Sequence, residues 1–258
     1  MNKRLSKTFG ILFLLSELAL VPLALKLMLD QPLSSLSPLR IVAIAMTFGS
    51  IALCIVMSFS SLSDNNSYPL HTFLFELIVF LCALTPLTEF LTVMLNTAGK
   101  PEVNMAVNTL YYLTGISLAY VIHLYEYLVI NAKEKPHLKL FRILAAFLTV
   151  AGIAATLLNI RLGYFFTISQ DGAYQSAPTF WLSYIAPFLL VVLIFITALR
   201  EMQPGRQRRA FLFFWVFALI SALIQGIRSD LSVQYTGYIM AVLVIYLNVQ
   251  SELDTSST

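Results

Sequence analysis

Residues 72–95 read TFLFELIVFLCALTPLTEFLTVML. Only two residues in this stretch are charged, Glu76 and Glu89. A helix rises about 1.5 Å per residue, so the stretch is long enough to cross roughly 30 Å of hydrocarbon. An apolar run of this length predicts a transmembrane helix. Working outward from it, seven more stretches meet the same criterion. They are Phe9 to Leu29, Leu39 to Phe59, Met105 to Ile130, Leu138 to Ile160, Thr179 to Leu199, Ala210 to Ile227 and Val233 to Val249. The expected fold is an all-α polytopic membrane bundle of eight transmembrane helices (residues 1–250), with residues 251–258 as a cytoplasmic tail.

The whole chain agrees with this reading. Of its 258 residues, 59% are hydrophobic and 11% are charged. Soluble domains carry about 25% charged residues. No polar stretch is long enough to form a separate soluble domain. The longest non-apolar segment, Arg161 to Pro178, is itself half apolar. Cys54 and Cys82 fall inside apolar runs and read as small buried hydrophobes, not as a disulfide or metal pair. The opening Met-Asn-Lys-Arg-Leu-Ser-Lys has the basic start of a signal peptide. The long run after it contains Glu17 and Lys26 and no small-x-small cleavage site, which predicts a retained first span.

The basic residues orient the bundle. With the N-terminus inside, Lys3, Arg4, Lys7, Lys133, Lys135, Lys139, Arg142, Arg200, Arg206, Arg208 and Arg209 all lie on the inner side. Lys26, Arg40, Lys100, Arg161 and Arg228 lie outside. Eleven of the sixteen Lys and Arg are therefore inside, at three separate inner sites. Eight spans return the C-terminus to the cytoplasm as well. The last two spans are joined by Arg228 to Ser232, where Asp230 or Ser232 can cap the final helix. The Arg161–Pro178 connection is the longest outer one. Its Asp171-Gly172 turn, flanked by Tyr164, Phe165, Phe166 and Tyr174, fits a short β-hairpin or an interfacial loop.

Ionisable groups within hydrocarbon are costly and call for a reason. Glu17 lies near the middle of the first span. Glu89 follows Pro86 in the third, where a kink beside a carboxylate suits either a ligand pocket or a packing bend. Glu76, His123 and Glu126 belong to the inner halves of spans three and four. His123 and Glu126 share a helix face with Tyr120 and Tyr127 nearby. That group reads as an interhelical hydrogen-bond network, or else as a titrating or metal-binding site. No nucleotide-binding loop, zinc-protease motif, nucleophile elbow or dinucleotide fingerprint is present in the sequence, so neither a catalytic residue nor a cofactor is expected.

Two stretches carry a family resemblance. Residues 163–184 read GYFFTISQDGAYQSAPTFWLSY and residues 245–254 read IYLNVQSELD. With the span layout, they resemble the N-terminal multi-span sensor module that precedes GGDEF diguanylate cyclase domains in Gram-positive anaerobes; some histidine kinases carry related modules. The resemblance implies a sensor in the bacterial plasma membrane that passes a signal through its last helix to a cytoplasmic output domain, with cyclic di-GMP as the eventual message. The cyclase motif itself is not among these residues, so no cyclase activity is assigned to them. This reading expects a small ligand at the outer ends of spans three, four and six. The candidate ligand-binding residues are Glu89, Tyr111, Tyr112, Arg161, Tyr164, Asp171, Trp181 and Tyr184. The expected partners are the lipid bilayer, that ligand and an output domain, with no nucleic acid. Leu243, Tyr246, Gln250 and Leu253 have a rough heptad spacing that would suit a homodimeric output helix. A small proton-coupled carrier using Glu17, Glu89 and His123 is the alternative.

Overall fold

The computed structural model describes residues 3–29, 38–63, 69–95, 99–130, 138–227 and 234–255. Eight α-helices account for nearly all of them: α1 (Lys3–Leu29), α2 (Pro38–Ser63), α3 (Pro69–Leu95), α4 (Pro101–Val129), α5 (Leu138–Leu162), α6 (Ile185–Glu201), α7 (Arg206–Ile227) and α8 (Gln234–Thr255). Between α5 and α6 lie two short strands, β1 (Phe166–Ile168) and β2 (Tyr174–Ser176), followed by a 3-10 turn, Phe180–Tyr184. The molecule is thus a helical bundle with one added hairpin, where the Asp171-Gly172 turn occurs. The Arg228–Ser232 connection, with its two capping candidates, lies outside the described residues.

Six helical segments are long and apolar enough to cross a membrane: Lys3–Pro22, Ile44–Ser63, Pro69–Leu95, Pro101–Val129, Leu138–Leu162 and Phe180–Glu201. A shorter apolar segment, Thr236–Asn248, runs through α8. α7 opens with Arg206, Arg208 and Arg209, which lowers the hydropathy of its first turn.

The pattern of burial is the reverse of a soluble protein's. Phe147 and Val150 on α5 are each 66% exposed, and Phe59 on α2 is equally so, while His123, Glu126, Glu76 and Glu17 are wholly buried. Water would penalise such an apolar exterior; lipid tails would not. Polar side chains turn inward because hydrocarbon offers them no partner. α1 shows this on one helix. Ser6, Gly10 and Glu17 face the bundle, and Ile11, Leu12, Leu15 and Leu18 face out.

α3 lies at the centre and packs on α1, α2, α4 and α8, while α4 also meets α5 and α6. Small residues set the closest approaches, as is usual where packing rather than solvent exclusion joins helices. Gly10 brings α1 against α2 and α3: a Cβ there would lie 2.5 Å from Leu62 Cδ2 and 3.2 Å from Glu76 Cγ. Pro86 sits within α3 without ending it. The threonines around it bond back to the backbone: Thr85 donates to the Leu81 carbonyl at 2.6 Å and Thr88 to that of Thr85 at 2.8 Å. Such back-bonding favours a bend in the helix at this point. α4 begins with Pro101 in its first turn, where a missing N–H costs nothing, and Glu102 there complements the helix dipole.

Candidate functional site

The hairpin is anchored by two asparagines inside apolar helices. α5 is followed by Gly163, whose φ of 63° is the left-handed conformation of a helix stop. One turn earlier, Asn159 faces inward. Its Oδ1 accepts from Phe165 N at 2.6 Å and Phe166 N at 3.4 Å, and its Nδ2 donates to the Phe166 carbonyl at 3.1 Å. β1 then pairs antiparallel with β2, Thr167 opposite Gln175. At the tip, Gly172 adopts φ 88° and rests on the backbone of Gly99 and Lys100. Asn104, in the first turns of α4, donates to the Gly172 carbonyl at 2.7 Å and itself accepts from Asn108 Nδ2 at 2.7 Å.

An aromatic column joins hairpin and bundle. Tyr112 of α4 stacks on Phe166 (5.4 Å between centroids), which stacks on Tyr174 (5.4 Å). The hydroxyls of Tyr112 and Tyr174 meet at 3.2 Å. Burial pushes the Tyr174 phenol above its ordinary pKa, and the hydrogen bond to Tyr112 partly offsets this. Each such ring pair is worth about 0.5–1.5 kcal/mol beyond its buried area.

Beneath the column is a cavity of about 20 Å3, lined by Tyr111, Tyr112, Gly115, Ile116, Ser183, Tyr184, Pro187 and Tyr238. That is about the room one water needs. α4, α6 with its 3-10 turn, and α8 each contribute to the lining. Glu89 of α3 lies within electrostatic reach of Tyr184, as do Tyr174 and Tyr238. Tyr111, Tyr112 and Tyr184 thus line one cavity, with Glu89 outside the lining. Tyr238 joins them, although the sequence reading passed over it.

The remaining four ligand candidates are set apart, which corrects their expected convergence. Tyr164 (58% exposed) and Trp181 (61%) lie on the surface of the bundle, and amphipathic rings of this kind suit a membrane interface. Arg161 is exposed in the last turn of α5. Asp171 is exposed at the hairpin tip and accepts a hydrogen bond from the Ser169 hydroxyl. The Ser169 bond, with backbone contacts of the turn, holds the Asp171 carboxyl below its ordinary pKa. A depressed carboxylate pKa stabilises the fold above the unfolded value and loses that contribution as pH falls through the folded one. Acidification through that window should therefore speed hydrogen exchange at Gly172 and Ala173, after correction for intrinsic rates. Asp171→Asn should flatten that dependence, and an unchanged pH profile in the variant would contradict the assignment.

Two further polar groups lie deeper. Glu17 accepts a hydrogen bond from the Ser58 hydroxyl at 3.3 Å, and Glu76 lies beside Ser58 and Ser61 and within electrostatic reach of Glu17. Among the described residues, both oxygens of Glu76 and Oε2 of Glu17 have no hydrogen-bonding partner. On the other side, His123 Nδ1 lies 3.4 Å from Glu126 Oε2, close enough for electrostatic contact but without hydrogen-bond geometry. The His123 face of α4 also carries Ala119, which packs with Ala145 of α5 and Leu190 and Leu193 of α6. The expected grouping of Glu76 with His123 and Glu126 is therefore replaced by two pairs. They share a depth, but Glu76 turns toward α1 and α2. Among the described residues no three His, Cys, Asp or Glu side chains are placed to hold a metal ion.

The long apolar helices and the inverted burial define a multi-pass α-helical membrane protein. No family model, curated protein or solved structure matches the chain.

Proposed function

We propose that this chain is an eight-span sensing module of the plasma membrane, with both ends in the cytoplasm. It binds a small ligand in the tyrosine cavity and relays the event through α8 to a cytoplasmic output domain, such as a diguanylate cyclase, acting as a homodimer. One observation carries the reading. α8 supplies Tyr238 to the cavity and, about two turns on, Tyr246, which stacks on Phe75 at 5.0 Å and donates to the Ser60 hydroxyl at 2.6 Å. A ligand that prefers one position of Tyr238 therefore biases a helix already tied to α2 and α3 nearer the inner side. The heptad positions Gln250 and Leu253 lie outside the described side chains.

A thermal-shift screen of the purified chain against amines, amino acids and sugars tests this. Stabilisation by a hit should be lost in Tyr184→Ala and Tyr238→Ala and kept in Trp181→Ala. A hit insensitive to both cavity variants would move the site elsewhere. In a fusion to a diguanylate cyclase, the same hit should change cyclase output.

Glu17 and Glu76 favour a second reading, a proton-coupled carrier, since buried carboxyls with unpartnered oxygens suit proton relays. Solute uptake into proteoliposomes that follows an imposed proton gradient, and fails in Glu76→Gln, would replace the sensor reading.

A further inference from the structure

We infer that the tyrosine cavity takes the ammonium head of a primary amine. This rests on the sensor reading for the cavity itself and adds the chemical class of its ligand.

Charge argues first. Four of the eight lining residues are tyrosines, and none is basic. Ring faces attract cations, more strongly where water is excluded. Tyr174 and Glu89 both bear on Tyr184 from outside the lining, and Glu89 is the carboxyl of the two. A carboxylate offers about four lone-pair sites, so Glu89 can keep its other contacts and still face a cation. The basic residue once expected here, Arg161, is exposed at the end of α5. An anion would find acceptors and π faces, and a cation finds what it needs.

Hydrogen bonding and size narrow the class. An ammonium group has three N–H donors and no acceptor. The Ser183 hydroxyl donates to the Phe180 carbonyl at 2.7 Å, which leaves its own lone pairs free to accept. The Tyr184 hydroxyl is a second acceptor in the lining. The cavity's 20 Å3 accommodates one heavy atom and its hydrogens. A quaternary ammonium, with four methyl groups, is too large. The alkyl tail of a primary amine would leave through the mouth of the cleft.

The test is equilibrium binding to the full chain in nanodiscs, read by thermal shift and intrinsic fluorescence. The probes are n-butylammonium, n-butanol, butyrate and tetramethylammonium. Saturable binding of n-butylammonium is expected, with the other three weaker by about tenfold or more. Glu89→Gln should weaken n-butylammonium by about tenfold and Tyr184→Leu should abolish its binding, while Tyr184→Phe keeps the ring and most of the affinity. Trp181→Leu should change nothing. If butanol or butyrate binds as well as the amine and remains sensitive to Tyr184→Leu, the cavity stands and the ammonium assignment is overturned. Equal binding of tetramethylammonium overturns the head-size argument and with it the primary amine. If no probe binds saturably, or if binding ignores both Tyr184→Leu and Glu89→Gln, the proposal falls; in the second case the cavity is also not the site.

Discussion

Asn159→Leu should unseat the hairpin while leaving the helices in place, at a cost of about 3 kcal/mol. Asn159 is buried, and its side chain satisfies two backbone N–H groups and one carbonyl of Phe165 and Phe166, which are themselves buried. Leucine is similar in size but offers none of these bonds. A buried backbone group left unpaired costs about 1–3 kcal/mol, and partial rescue by water at the hairpin base lowers the total. Phe166 would then leave its place between Tyr112 and Tyr174, opening the cavity from above. Hydrogen exchange checks this directly. Residues 165–176 should lose protection and α3 and α4 should keep theirs. Equal protection in variant and wild type would mean that the aromatic column alone holds the hairpin.

Gly237→Leu should cost about as much, roughly 3 kcal/mol, by forcing α7 and α8 apart. A Cβ at Gly237 would lie 2.6 Å from Ser221 Oγ, 2.7 Å from Ser221 Cβ and 3.1 Å from the Phe217 carbonyl oxygen. A serine hydroxyl can rotate away, but a Cβ and a backbone carbonyl cannot. The displaced helix carries Tyr238 with it, so the cavity loses a wall and ligand response should disappear along with stability. Gly49 on α2 is the control. A Cβ there meets nothing within 4 Å, and Gly49→Leu should fall within about 0.5 kcal/mol of wild type. Denaturation in nanodiscs separates the two variants. Equal stability would show that the α7–α8 contact can slide.

How far the sequence could be read depends on which physical constraint sets each feature. Hydropathy marked the apolar runs, and each of the eight coincides with a helix, six of them long and apolar enough to cross a membrane. It did not mark helix ends, because a helix continues into the polar interface. α1 starts at Lys3, not Phe9, and α4 at Pro101, not Met105. The hairpin was legible because Asp-Gly between aromatic residues is a local turn signal. Lateral packing was not legible. Glu76 has the depth of His123 but belongs with Glu17, because Gly10 lets α1 close on it. Arg161 and Trp181 are near the cavity in sequence and layer but point outward. Tyr238 was invisible as a site residue, since one tyrosine in an apolar helix has no distinctive spacing. Asn104, Asn108 and Asn159 did leave a signal: amides in the outermost turns of apolar helices need partners, and the hairpin backbone supplies two of them.

The relay through α8 requires the hairpin and the α6–α7 turn to lie on opposite sides of the membrane. Cysteine labelling measures this directly. Cys54 and Cys82 are buried and should stay silent toward an impermeant maleimide. Gln175→Cys on the exposed strand β2 should label in intact cells, and Gly205→Cys in the exposed turn before α7 should label only after permeabilisation. Labelling of both positions from the same side would contradict the topology, and with it the path from an outer cavity to an inner output domain.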